Sequence, residues 1–237
     1  CAAAPGTGAA TRLWICRHGT KEGRNSRPCN WALLLTPGGV AEVEAAARRL
    51  AAQCAAAAVP APRRVVCSPF PRCVATAGIY ARAFSLPAVC VEPGLCEVLT
   101  PDKGARGLGG PRLAWTAEEL LGILAAGGKP SLSLDAGYSP AVRPEEVYFE
   151  ASEEDRSEVE ARVGVMASHV VAGTFDGDML VTHGSPAYRL VRALTAERTF
   201  AEPPMGSVIE LVAFPCAGGS WGHLESFDFP SGVPLRA

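Results

Sequence analysis

The sequence predicts an α/β fold, a three-layer sandwich around a mainly parallel sheet with an inserted cap. Short apolar runs that stop at Gly, Pro or a polar residue alternate with longer stretches of helical periodicity. The chain has 237 residues, 48% hydrophobic and 19% charged, which suits one good core and excludes a chain disordered by composition. Many of its 25 Gly and 20 Pro fall between residues 100 and 144, where irregular backbone concentrates.

Residues 1–10 read as a flexible leading segment and 11–237 as one domain, with 98–150 inserted as the cap. Residues 12–16 form a buried strand that stops at Arg17-His18-Gly19. Thr36 is a good helix N-cap and Pro37 is pre-organised for the first helical position. Val40, Val43, Ala47, Leu50 and Cys54 then recur at helical spacing until Pro60 and Pro62. A second strand at 64–67 closes at Ser68-Pro69, a helix covers 70–84, and a third strand at 88–91 runs into Glu92 and Glu97. Within the cap, 116–126 reads as a helix capped by Thr116, with Glu119 at the capping-box position. A long amphipathic helix follows at 152–172, then a strand at 178–182 ending at His183-Gly184, a helix at 186–195, and final strands at 207–213 and 221–227. Strands alternating with helices imply helices packed on both faces of a sheet.

Lys and Arg number 22 against 24 Asp and Glu, for a net charge of −2 and a pI of about 6.1. That balance argues against an extended nucleic-acid or anionic-membrane surface, while leaving room for a small cationic pocket. Nine cysteines without a CxxC pair indicate neither a zinc ribbon nor a thioredoxin-type centre. Reduced thiols are expected, with Cys16, Cys67, Cys73 and Cys90 as small core residues in a cytoplasmic protein. No run of about 18 uncharged apolar residues suggests a membrane span. The first residues carry neither Met nor an apolar signal-peptide core, as in a trimmed or processed chain.

In open α/β sheets, ligands bind beyond the carboxyl ends of the strands. Three such ends carry polar residues: Arg17-His18-Gly19, Ser68 leading to Arg72, and His183-Gly184. Taken singly, each is an ordinary turn or surface feature. Together they would bring two imidazoles and two guanidiniums to one edge, a set suited to the oxygens of phosphate. HxH and HExxH are absent, so no metal is expected. The chain also lacks GxxxxGK[ST], GxGxxG after a strand, and a Cys and Arg with five residues between them. Histidine is the remaining candidate nucleophile.

Four segments in order, Cys16-Arg17-His18-Gly19, Leu35-Thr36-Pro37-Gly38-Gly39, the run from Cys67 to Ala77, and Val181-Thr182-His183-Gly184, resemble the histidine phosphatase (phosphoglycerate mutase-like) superfamily. The resemblance spans residue 12 to about 213. Ser68-Pro69…Arg72-Cys73-Val74 and Val91 to Glu97 look most like the T-cell ubiquitin ligand type phosphatases; the acid phosphatase and phytase branch fits poorly. The resemblance implies a metal-independent phosphomonoester hydrolase without cofactors, working through a phosphohistidine on His18. Arg17, Arg72 and His183 would bind the phosphate, and Glu97 would serve as acid and then base. Lys21 stands where the related phosphatases carry a further phosphate-binding arginine, for which Arg24 is a possible substitute, and Val98 replaces a frequent Trp. Expected partners are a phosphorylated small molecule or phosphoprotein substrate and a second copy in a homodimer, with neither nucleic acid nor membrane. The rival readings are a phosphoglycerate mutase-like phosphotransferase and a catalytically degenerate phosphate-binding module.

Overall fold

A computed structural model describes residues 11–23, 32–98, 117–126, 132–143, 156–195, 202–213, 221–228 and 233–234. The first strand, β1 (Thr11–Arg17), is buried continuously from Leu13 to Cys16, with each residue at most 1% exposed. Such a run marks a central strand covered on both faces. It is followed by α1 (Pro37–Ala56), β2 (Val65–Cys67), α2 (Pro71–Ala83) and the two-residue β3 (Cys90–Val91). After a 3₁₀ turn at Pro93–Leu95 come α3 (Ala117–Ala126), α4 (Arg156–Val171), β4 (Met179–Thr182) and α5 (Gly184–Thr195). The chain closes with β5 (Val208–Ala213), β6 (Trp221–Asp228) and β7 (Val233–Pro234).

These strands make one sheet in the order β3-β2-β4-β1-β5-β6-β7. The first four in that order run parallel, and β5, β6 and β7 extend the sheet antiparallel from β1. Helices α1 and α2 pack together, as do α4 and α5. The predicted three-layer arrangement is therefore present, with its parallel half holding the strand ends of interest.

Thr36 accepts a hydrogen bond from the Gly39 amide at 2.9 Å and starts α1 as expected. A Cβ at Gly39 would lie 2.0 Å from the Thr20 carbonyl oxygen, so the helix presses directly on the loop that follows His18. Helix α2 is buried from Pro71 through Ala81, which sinks Arg72 into the interior in its first turn.

Three boundaries differ from expectation. Helix α5 begins at Gly184 rather than two residues later, since Pro186 within the first turn removes only an amide that needs no helical partner. The third strand is short because its outer neighbour is the 132–135 segment: Val89 donates to Ser133 and accepts from Asp135. The edge strand β7 was not anticipated, being two residues long and ending in Pro. The flexible reading of 1–10, the Thr116 cap, Arg24, and most of the 98–150 insert lie outside the described residues.

Candidate active site

Parallel register aligns the strand ends. Arg17 lies opposite Thr182, and Cys67 lies opposite both Val181 and Val91. The next residues, His18, Ser68, Glu92 and His183, therefore leave the sheet along one edge. Backbone hydrogen bonds carry the alignment one residue further, with His18 N–H donating to Thr182 O at 3.0 Å and Ser68 N–H to Val181 O at 2.9 Å.

His18 is 2% exposed. Its Nδ1 lies 2.8 Å from the Gly19 carbonyl oxygen, which can only accept, so the ring proton sits on Nδ1. The Nε2 lone pair then accepts from Arg72 Nε at 3.2 Å. Burial, the Arg72 charge, and the more modest influence of Arg17 and Lys21 push the imidazole well below its usual 6.5, against an upward pull from the Gly19 carbonyl. His18 is a neutral base with its lone pair directed at a guanidinium. The loop is held by Thr76, whose hydroxyl donates to Arg72 O at 2.8 Å and accepts from Gly19 N–H at 3.3 Å.

His183 is fully buried and 5.2 Å from His18 between ring centroids. Arg72 Nη2 lies 3.2 Å from its Nδ1, and a guanidinium only donates, so Nδ1 accepts. The opposite Nε2–H donates to Ser68 Oγ at 2.9 Å. Burial, then Arg72 and His18, lower this imidazole well below 6.5 as well. Phe70 stands edge-on to His183 at 4.8 Å and carries the Arg72 guanidinium 4.6 Å over its ring. Arg72 thus bridges both histidines from an apolar shelf.

Glu97 approaches from the turn after β3. Its Oε2 lies 3.7 Å from His183 Nδ1, and its Oε1 accepts from the Val98 amide at 3.1 Å. Arg162 of α4 holds this turn from behind, donating to the carbonyls of Gly94, Cys96 and Glu97. Thr182 at the end of β4 donates to Leu95 O at 2.7 Å.

Arg17 sits at the other rim. Its Nη1 donates to Pro203 O at 2.6 Å and pairs with Glu202 Oε1 at 3.0 Å. Its Nε is buried with no hydrogen-bond partner among the described residues. Gly184 leaves room for this pair: a Cβ there would lie 2.0 Å from Glu202 Oε1 and 2.7 Å from Arg17 Cζ. Lys21 is half-buried beside Leu35 in an isolated bridge, close enough for its charge to weigh on His18. Among the described residues no three His, Cys, Asp or Glu side chains are grouped to hold a metal ion. Cys16, Cys54, Cys67, Cys73, Cys90 and Cys96 are buried as thiols; burial pushes the thiol of Cys90 up to about 11 and that of Cys16 up to about 12.

Residues 13–101 match the sequence profile described as the histidine phosphatase superfamily (branch 1). Among solved structures, the ecdysone phosphate phosphatase of Bombyx mori is similar at 19% identity and a TM-score of 0.58, over 94% of this chain and 99% of that one. A mycobacterial glucosyl-3-phosphoglycerate phosphatase is similar at 21% identity and a TM-score of 0.53, over 86% and 91%. The chain has a phosphoglycerate mutase-like fold. A phosphoglycerate mutase of Bacillus anthracis shares the fold at 18% identity and a TM-score of 0.56, over 91% of this chain and 92% of that one. No curated protein is matched by the sequence.

Within this phosphoglycerate mutase-like fold, His18, Arg72, His183 and Glu97 come together, Arg17 lines the rim, and Lys21 stands further out. The sequence reading missed Thr76, Arg162 and Glu202. Thr76 lies one helical turn after Arg72, which was a usable signal. Arg162 also had one, because it interrupts the buried stripe Val159, Val163, Met166 and Val170 of α4 with a charge. Glu202 follows a segment without periodicity and carries no local signal.

Proposed function

We propose that the protein hydrolyses phosphate monoesters through a phosphohistidine on His18, without a metal ion or cofactor. The observation that carries this reading is the neutral His18 ring: its Nδ1 proton is anchored on Gly19 O and its Nε2 lone pair looks into the Arg72 guanidinium. In the first step Nε2 attacks phosphorus, the bond to the ester oxygen breaks, and the Glu97 carboxyl protonates that oxygen. Arg72 transfers its donors from the imidazoles to the phosphoryl oxygens, where negative charge spreads. The buried, unpartnered Nε of Arg17 supports a further donor for an anion. In the second step water attacks phosphorus, Glu97 takes the water proton, and the P–N bond breaks to return neutral His18 and inorganic phosphate.

The substrate class is a phosphorylated small molecule or phosphoprotein. The B. mori structure is of a phosphatase in complex with tungstate, a tetrahedral oxyanion, which supports a phosphate-like ligand for a protein of this fold. Hydrolysis of an aryl phosphate should survive a chelator and thiol alkylation and be blocked by vanadate. Acid-labile radioactive phosphate should be trapped on the protein and lost in His18→Ala; labelling that persists in this variant would overturn the assignment. The likeness to a phosphoglycerate mutase favours one other reading, phosphotransfer. Isomerisation of phosphoglycerate without release of phosphate would establish it over hydrolysis.

A further inference from the structure

We infer that Arg162 is the positioning residue for the Glu97 carboxyl, so that helix α4, beyond the cap, sets the proton-transfer step. The inference rests on the reading of Glu97 as the general acid. Residues 96–98 belong to no helix or strand, so no ladder of backbone hydrogen bonds fixes them. The Arg162 fork does so instead, with Nη1 donating to Gly94 O at 3.0 Å and Cys96 O at 2.9 Å, and Nη2 to Glu97 O at 3.4 Å. These three carbonyls span the end of the turn and the acid itself.

The same helix presses on the turn from its apolar face. A Cβ at Gly94 would lie 2.4 Å from Met166 Sδ and 2.7 Å from Val142 Cγ2, so Met166, one turn beyond Arg162, leaves room only for hydrogen there. A guanidinium that is 6% exposed on a stripe of Val and Met is costly to bury unless its fixed donors are satisfied. Its planar geometry, unlike a lysine ammonium, can address several carbonyls at once. The position of the Glu97 backbone, and with it Oε2 at 3.7 Å from His183, is thereby tied to α4. A displacement of about 1 Å in a reacting group can cost on the order of 100-fold in rate.

The test compares Arg162→Met, which keeps the apolar stem and removes every donor, with Arg162→Lys, which keeps one charged donor group. Steady-state rates are measured on p-nitrophenyl phosphate, whose leaving group needs little protonation, and on phenyl phosphate, whose leaving group needs it. Arg162→Met should slow phenyl phosphate at least about tenfold more than p-nitrophenyl phosphate, within the range of general acid catalysis. Phosphate labelling of His18 should persist, and Arg162→Lys should recover part of the selective loss. In a Glu97→Gln background, Arg162→Met should add no further discrimination between the two esters. Equal slowing of both esters, or no slowing, would overturn the inference, as would full additivity with Glu97→Gln. Should Arg162→Met not fold, Arg162→Lys carries the test alone: selective slowing supports the inference and uniform slowing refutes it. If Glu97→Gln itself shows no dependence on leaving group, the acid assignment has failed rather than the positioning role alone.

Discussion

Two imidazoles buried beside one guanidinium make stability depend on pH in a calculable way. His18 and His183 are 2% and 0% exposed, and Arg72 lies 3.2 Å from a ring nitrogen of each. Both are held well below 6.5 in the folded chain, first by burial and then by Arg72. In the unfolded chain they return to about 6.5. Below that pH the unfolded chain binds two protons that the folded chain refuses. Their stabilising contribution is complete above about pH 6.5 and is lost as the pH falls towards the folded values. Each proton adds about half of 1.4 kcal/mol per pH unit at pH 6.5 and approaches the full 1.4 about a unit lower, so the pair's slope rises from about 1.4 kcal/mol per pH unit at pH 6.5 towards about 2.7 about one unit below it. Urea unfolding at a series of pH values between about 7.5 and 5 measures this slope against the background of the other titrating groups. The double variant His18→Asn, His183→Gln should lose about 2.7 kcal/mol per pH unit of slope, and each single variant about half of that. Identical slopes in the wild type and the double variant would refute the account of two neutral buried histidines. The same reasoning keeps the nucleophile unprotonated in mild acid, so no loss of kcat/KM near pH 6.5 should trace to His18.

Gly39→Ala should destabilise by about 1–3 kcal/mol, because the new methyl meets the Thr20 carbonyl and neither helix α1 nor the loop after His18 can yield without strain; an unchanged Tm would contradict the contact. Asp178 is fully buried and receives both Arg63 and Arg64, so Asp178→Ala should cost about 1–2 kcal/mol in denaturant unfolding after discounting the exposure of the two arginines. Glu202→Gln removes a carboxylate that competes for Arg17, and vanadate should then inhibit at about two- to fivefold lower concentration, the scale of an exposed ion pair. Inhibition at an unaltered concentration would mean that Arg17 does not face the bound anion.

Local sequence carries most of this architecture because its signals are short in range. The apolar run from Leu13 to Cys16 and the Thr36-Pro37 start each declare their element within a few residues. The rule that ligands gather at parallel strand ends then brings His18, Arg72 and His183 together without any distance being known. The antiparallel half was harder to foresee. Val208, Ile209, Leu211 and Val212 are all buried, and in sequence such a strand looks the same whichever way its neighbour runs. Arg162 and Glu202 were hidden for another reason. Each meets the site across a long chain separation, 65 residues from Arg162 to Glu97 and 185 from Glu202 to Arg17, and neither is announced by a spacing motif. Arg162 left one trace, a cation among valines, whose meaning needed the turn opposite to be seen.

The carboxylate of Glu92, fully buried at the end of β3, accepts from the Gly94 amide at 3.0 Å. It also accepts from the Tyr138 hydroxyl at 2.8 Å and the amides of Ala141 and Val142 at 2.7 and 3.1 Å. One side chain therefore rivets the 138–142 stretch to the turn that leads to Glu97. Loss of this single carboxylate would loosen both at once, so two segments far apart in the chain share one fastening at the edge of the site.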